Sequence, residues 1–323
     1  MKTLQLHRIG VVVYDLEKAI QNYSTIYGIT NWQRDEHAPD QAVSYGRTVT
    51  GARWLSARGA TSTLAFELIQ PLAGESPFQE HLRTKREGIA FLQIVVSGDP
   101  QQHFAGLGIP LAYRAGEREF YDTRDALGGF LIEPVLEADP TRLPAETTDV
   151  PLPTERIYHF GVIVHDVLKT LPAYRDIFGI QRFECKTWET GWGRLDAPQY
   201  RGERVDHGYF TAQGMVADFG FEIIQSNHGP SHYNREFFDA RGPGIHHFFP
   251  WLTSEDQSWD AVVERMEALG YPLCMGSTLR GEAAEFGYFD TFDALGGYLV
   301  EVVIRRRPPA PEFAQPDWVV EYT

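Results

Sequence analysis

Two adjacent histidines, His246 and His247, stand in the apolar run GPGIHHFFP, and Glu222 in FEIIQ and Glu301 in GYLVEVV sit in runs just as apolar. An unpaired carboxylate is costly to bury in such a place. Imidazole and carboxylate together suit one divalent transition metal, zinc, nickel, cobalt, manganese or iron(II), and a single such cation would account for both acids. Taken alone, each glutamate also fits a salt bridge or a solvent-facing strand position. Neighbouring residues of a strand point to opposite faces. The pair is therefore expected to split, one imidazole entering a site and the other facing away.

The elements that must position these residues occur twice. GVVVYDLEKAIQNYSTIYGI at 10–29 returns as GVIVHDVLKTLPAYRDIFGI at 161–180, FELIQ returns as FEIIQ, and DTRDALGGFLIE returns as DTFDALGGYLVE. Three matched stretches in one order indicate duplication of a whole domain. Each half reads as strand, helix and several strands, the helices ending at glycines suited to a left-handed cap. This predicts βαβββ units, four in the chain. The first half spans residues 1–140 and the second 156–306. A Pro-, Thr- and acid-rich linker fills 141–155 and a Pro-rich tail, expected to lie extended over the surface, fills 307–323. Where the second half has His246 and His247, the first has Ala90 and Phe91.

The opening H-x-G-x-x-x-x-D, the FE-[IL]-IQ strand, the GIHH strand and the closing DALGG-x-L-x-E resemble the vicinal oxygen chelate superfamily, which includes glyoxalase I, methylmalonyl-CoA epimerase, bleomycin-resistance proteins and extradiol dioxygenases. The motifs are most similar to the epimerase and glyoxalase I branch. The resemblance implies an α+β fold: two tandem domains, each with two βαβββ modules forming one cup-shaped mixed sheet. It also implies ligands. The family's first ligand lies seven residues before the aspartate that opens the helix, which selects His159 ahead of Asp166 and Arg8 ahead of Asp15. His7 is one residue out of register, so alternation assigns it to the other face. In the epimerase strand the second histidine is the ligand, which selects His247 and leaves His246 facing outward. The implied set is His159, Glu222, His247 and Glu301, similar to the His-Glu-His-Glu set of bacterial glyoxalase I. The first half has Arg8, Glu67, Phe91 and Glu133 there, so one metal per chain is expected, with Arg8 pairing with the leftover acids.

The resemblance implies a metal-dependent isomerase, epimerase or lyase that works through a metal-stabilised enolate. Glu301 or Glu222 is the base, and His207, Tyr209 and Tyr288 are further candidates for the pocket. Its rival is an iron(II) extradiol dioxygenase acting on a catechol, and a third reading is a metal-free small-molecule binder. The stretch RGEAAEFGYFDTFDALGGYLVE lacks the histidine and proline expected of the ring-cleaving branch.

Composition excludes other classes. With 43% hydrophobic and 23% charged residues the chain is a folded globular protein. A net charge of −15 argues against nucleic acid, while leaving room for a locally basic pocket that takes an anionic substrate. No apolar run spans a bilayer and the N-terminus lacks a signal-peptide pattern, so a cytoplasmic location without membrane partners is expected, and a homo-oligomer is compatible with it. Cys185 and Cys274 form no metal or redox motif and read as reduced structural thiols.

Overall fold

The computed structural model describes residues 1–61, 63–138, 150–191, 193–252 and 259–322. Two mixed sheets, of ten and eleven strands, correspond to the two halves. In the first sheet, Lys2–Val12, Gln33–His37, Arg53–Ala60 and Ala65–Ala73 form one βαβββ module. Gly88–Ser97, Leu111–Ala115, Arg118–Tyr121 and Leu131–Val135 form the other. The opening strands of the two modules pair antiparallel at the centre, and each closing strand runs parallel to the opening strand of its own module. The second sheet repeats this plan around Thr154–Ile163 and Gly244–Leu252. In both halves an insertion in the first module crosses over and pairs with the far edge of the second. Ala42–Ser44 joins Leu111–Ala115, and Gln199–Tyr200 joins Leu273–Leu279. The result is the pair of cup-shaped domains that the motifs imply.

The long helices Leu16–Tyr27 and Val167–Phe178 begin and end alike. Asp15 and Asp166 accept hydrogen bonds from the backbone amides of Lys18 and Lys169, and Gly28 and Gly179 close the helices in the left-handed region. Their apolar faces enter one core that runs through both halves. The halves also exchange polar contacts reciprocally. The Tyr23 hydroxyl donates to the Leu295 carbonyl at 2.9 Å, and the Tyr174 hydroxyl donates to the Leu127 carbonyl at 2.8 Å. The glycine pair after each of those leucines has positive φ. A Cβ on Gly129 would come 2.3 Å from the Pro243 carbonyl, and one on Gly297 would come 2.2 Å from the Glu87 carbonyl. Each DALGG turn therefore beds against the opposite half, and only glycine fits there.

Of the expected linker, residues 141–149 lie outside the described residues, and its end already belongs to the strand Thr154–Ile163. The tail is not merely extended. Its strand Trp318–Glu321 pairs with Arg182–Cys185 and lengthens the second sheet. Arg194 grips Asp317 through two hydrogen bonds of 2.7 and 2.8 Å. Cys185 and Cys274 are buried free thiols, raised by burial to about 11 and about 12. Among the described residues, no helix is long and apolar enough to cross a membrane.

Candidate metal centre in the second half

His159, Glu222, His247 and Glu301 converge on the concave side of the second sheet. All are buried, and one ligand atom from each lies within 4.8 Å of the others. Three adjacent strands and a fourth beside them supply the residues: His159 from Thr154–Ile163, Glu222 from Phe219–His228, His247 from Gly244–Leu252 and Glu301 from Leu299–Arg305. His159 Nε2 is 3.0 Å from a Glu301 oxygen and 3.6 Å from a Glu222 oxygen. His247 Nε2 is 3.6 Å from a Glu301 oxygen and 3.8 Å from a Glu222 oxygen. Gly161 stands opposite His247 in the register, and a Cβ there would lie 1.9 Å from the imidazole. A glycine in the neighbouring strand is what lets the ring lie across it.

Strand alternation, used above to split the histidine pair, does not hold here. The pairing advances from Gly161–His247 to Val162–Ile245, so His246 is the extra residue of a β-bulge. His246 is not turned outward. It is fully buried among Tyr233, Phe237 and Tyr288, with its Nδ1 2.9 Å from His247 Nδ1 and its Nε2 2.9 Å from His232 Nδ1. One choice of tautomers satisfies this row. His247 keeps its Nε2 lone pair for the site and donates from Nδ1 to His246, which donates from Nε2 to His232. A second bulge between Ile157 and His159 leaves Tyr158 beside the same cavity. The first half repeats both irregularities, at Ala90 and at His7. His7, expected on the other face, accordingly borders the first cavity along with Arg8.

The electrostatics of the four residues suit a cation. Burial lowers the pKa of His159, and burial with His159 nearby lowers His247 well below its ordinary value, so both imidazoles are neutral and able to ligate. Burial lifts Glu301 to about 8 and Glu222 to about 7, with His159 opposing the Glu222 rise and Glu301 adding to it. Gln213 donates to Glu222 at 2.9 Å. Among the described residues no lysine or arginine pairs with either acid, and His247 Nε2 is a buried nitrogen without a hydrogen-bond partner. Neutral imidazoles, uncompensated carboxylates and an orphaned nitrogen aimed at them fit a divalent transition metal.

The first half solves the same problem differently. Glu67, Phe91 and Glu133 occupy the register positions of Glu222, His247 and Glu301. A Cβ on Gly10 would strike Phe91 at 1.9 Å, as one on Gly161 would strike His247. Arg8 pairs with Glu67 as expected, but the cation that reaches both acids is Arg118. Its guanidinium makes four hydrogen bonds, two to Glu133 at 2.6 and 2.9 Å and two to Glu67 at 2.8 and 2.9 Å. Arg8 stands 3.9 Å from Glu67. Phe91 and Phe120 face the guanidinium at 5.7 and 5.0 Å, so the residue that replaced a histidine helps seat the arginine. Burial tends to raise Glu67, but Arg118 outweighs it and holds that carboxyl below its ordinary value. The visible signal was REFYDT aligned with EFGYFDT, which puts Arg118 at the position of Phe286.

Above the second-half cluster lies a cavity of about 210 Å³. Tyr209 and Tyr288 line it, whereas His207 does not. His207 is buried behind, its ring stacked 5.9 Å from Tyr209 and its pKa lowered by burial to about 4. The Tyr233 and Tyr288 hydroxyls are hydrogen-bonded to each other. Trp188, Phe249, Phe286 and the arginines Arg280, Arg305 and Arg307 complete the walls, and single-residue patterns did not reveal them.

Residues 7–101 match the family model described as the Glyoxalase/Bleomycin resistance protein/Dioxygenase superfamily. No curated protein matches the sequence. Among solved structures, a triple mutant of 4-hydroxymandelate synthase from Streptomyces coelicolor is similar with a TM-score of 0.61 at 14% identity, over 95% of this chain and 94% of that one. A xylose isomerase-like TIM barrel/4-hydroxyphenylpyruvate dioxygenase fusion protein is similar with a TM-score of 0.54 at 12% identity, over 96% of this chain and 50% of that one.

Proposed function

We propose that this chain, a tandem member of the vicinal oxygen chelate superfamily, is an iron(II)-dependent dioxygenase of a small aromatic molecule. In this reading His159, His247, Glu301 and Glu222 hold the metal in the second half and Tyr209 and Tyr288 border the substrate. The observation that carries it is the buried cluster of two neutral imidazoles and two carboxylates, with which no lysine or arginine pairs among the described residues. The oxygenase class is supported by similarity to two dioxygenase-type structures over nearly the whole chain, beyond a single domain. Iron(II) held there supplies the one-electron chemistry that lets dioxygen react with a closed-shell organic molecule. The chain does the rest. Aromatic walls orient a flat substrate and exclude water, the His246–His232 row holds the His247 ring in one tautomer, and the carboxylates hold or release a proton at the floor.

Glu222 favours a second reading. Two imidazoles and one carboxylate suffice for an iron oxygenase site, and a fourth ligand that can leave the metal is placed to abstract a proton beside a carbonyl. That is the enolate chemistry of an isomerase or lyase. One experiment separates the readings. The chain is loaded anaerobically with iron(II), zinc, nickel or cobalt, its metal content is measured, and it is offered catechols and 4-hydroxyphenylpyruvate. The dioxygenase reading expects one metal per chain and oxygen uptake with iron(II) only. Solvent-deuterium exchange into a carbonyl substrate with the other ions, and no oxygen uptake, would replace it with the second.

A further inference from the structure

The mouth of the second-half cavity contradicts the charge of the molecule. The chain carries a net −15, yet Arg280, Arg305 and Arg307 all border this opening. Among the described residues, the acids on the cavity wall are the two at its floor, Glu222 and Glu301. Two other exposed arginines of this half are neutralised by acids. Arg306, next in sequence to Arg305, binds Asp260 and Glu285, and Arg201 binds Glu236 and Asp290. Among the described residues, neither Arg280 nor Arg305 has a carboxylate partner. The Arg305 guanidinium lies 5.6 Å from the Trp251 ring, and that of Arg280 lies 5.9 Å from Trp188. Arg280 is half-buried, its Nε has no hydrogen-bond partner, and its backbone stands at φ 60°, a region long side chains enter at a cost. Burial and the neighbouring Arg305 charge both lower its pKa. Two like charges held together over a cavity, one of them desolvated, are stabilised when an anion arrives between them.

We propose that the substrate of this site carries an oxyanion, carboxylate or phosphate, on the end remote from the metal, where Arg280 and Arg305 hold it. This rests on reading the cavity as the substrate site and adds the polarity of its occupant. The middle of the molecule is apolar and flat, because Trp188, Phe249 and Phe286 form the walls between mouth and floor. A cavity of about 150 Å³ accommodates benzene, so about 210 Å³ suits a single ring with small substituents. The substrate class is therefore a monocyclic aromatic acid or aryl phosphate whose reacting oxygens lie opposite the anionic group.

The test is isothermal titration of the full chain, zinc-loaded and metal-stripped, with benzoate, phenyl phosphate and the neutral isostere benzamide. At least one anion is expected to bind tenfold or more tightly than benzamide in both forms. Which anion prefers the site tells carboxylate from phosphate. Arg280→Gln and Arg305→Gln are each expected to weaken the anion at least fivefold and leave benzamide within twofold. Arg305 is exposed, so its variant should keep the wild-type melting temperature and guards against misfolding as the cause. Equal binding of benzamide and both anions, or anion binding unchanged in both variants, would overturn the proposal. So would an anion preference that vanishes with the metal, since the anion would then sit at the floor. An anion preference in the metal-stripped chain together with no oxygen uptake by the iron(II) form would instead overturn only the dioxygenase reading.

Discussion

Glu67 and Glu133 in the first cup stand where Glu222 and Glu301 stand in the second, on equivalent strands and in the same register. What differs is the positive charge between them. The first cup supplies its own, a guanidinium fixed by four hydrogen bonds and two aromatic faces. Among the described residues, the second supplies neutral nitrogen donors and no guanidinium. A buried carboxylate pair constrains its surroundings more than it constrains its chemistry: it needs a cation, and a side chain or an ion both serve. Four exchanges at matched positions, His159 for Arg8, His247 for Phe91, Phe286 for Arg118 and Tyr288 for Phe120, turn one solution into the other.

The sharpest way to break this comparison is to remove the built-in cation. Arg118→Ala leaves Glu133 uncompensated and Glu67 with only Arg8 at 3.9 Å, and is expected to cost about 3–5 kcal/mol in denaturant unfolding. A loss below about 1 kcal/mol would mean that the pair does not need a cation. The pH dependence of the metal-stripped protein tests the second cup. Its two glutamates have folded-state pKa values raised to about 7 and about 8 against an ordinary 4.5. The folded state therefore holds protons that the unfolded state releases. Stability is fully present below the unfolded value and falls as pH rises through the folded ones. Between pH 5 and 9 the loss should be on the order of 6 kcal/mol. It should shrink in Glu301→Gln and disappear when metal holds both acids ionised. A flat profile in thermal melts of the stripped protein would remove the contrast between the cups. The smallest effect concerns the histidine row. His232→Ala should weaken metal affinity by roughly 10–100-fold without abolishing it, by releasing the tautomer of His247. Competition with a chromophoric chelator reads this directly, and an unchanged affinity would reduce the row to packing.

Much of this organisation was legible in the amino-acid sequence. The duplication was visible because whole stretches return in order, and Glu222 and Glu301 stood out because ionisable groups are rare inside apolar strands. The orientation of His246 was not legible. A one-residue bulge reverses the face of every residue counted past it, and nothing local in GIHHFFP announces one. The role of Arg118 is not legible in the sequence, because its partners come from two distant strands and only the fold shows that it reaches both while Arg8 reaches Glu67. His207 was placed in the pocket on the strength of its neighbour Tyr209, although the two rings stack one behind the other. The reaction class was illegible for another reason: the same four donors serve electron transfer to oxygen and proton transfer at carbon.

The reciprocal turns carry a consequence for how such a molecule can change over time. Tyr23 closes on the carbonyl of Leu295 and Tyr174 on that of Leu127, with glycines beneath both turns that tolerate no side chain. Each half thus behaves as an obligate subunit of the other, tethered in one chain. A half that gives up its chemistry keeps its lease as long as its turn and helix still fit. Drift in the first cup is limited on its concave side by the Glu67–Arg118–Glu133 network and forbidden at its back, so this half can change its occupant but cannot be discarded.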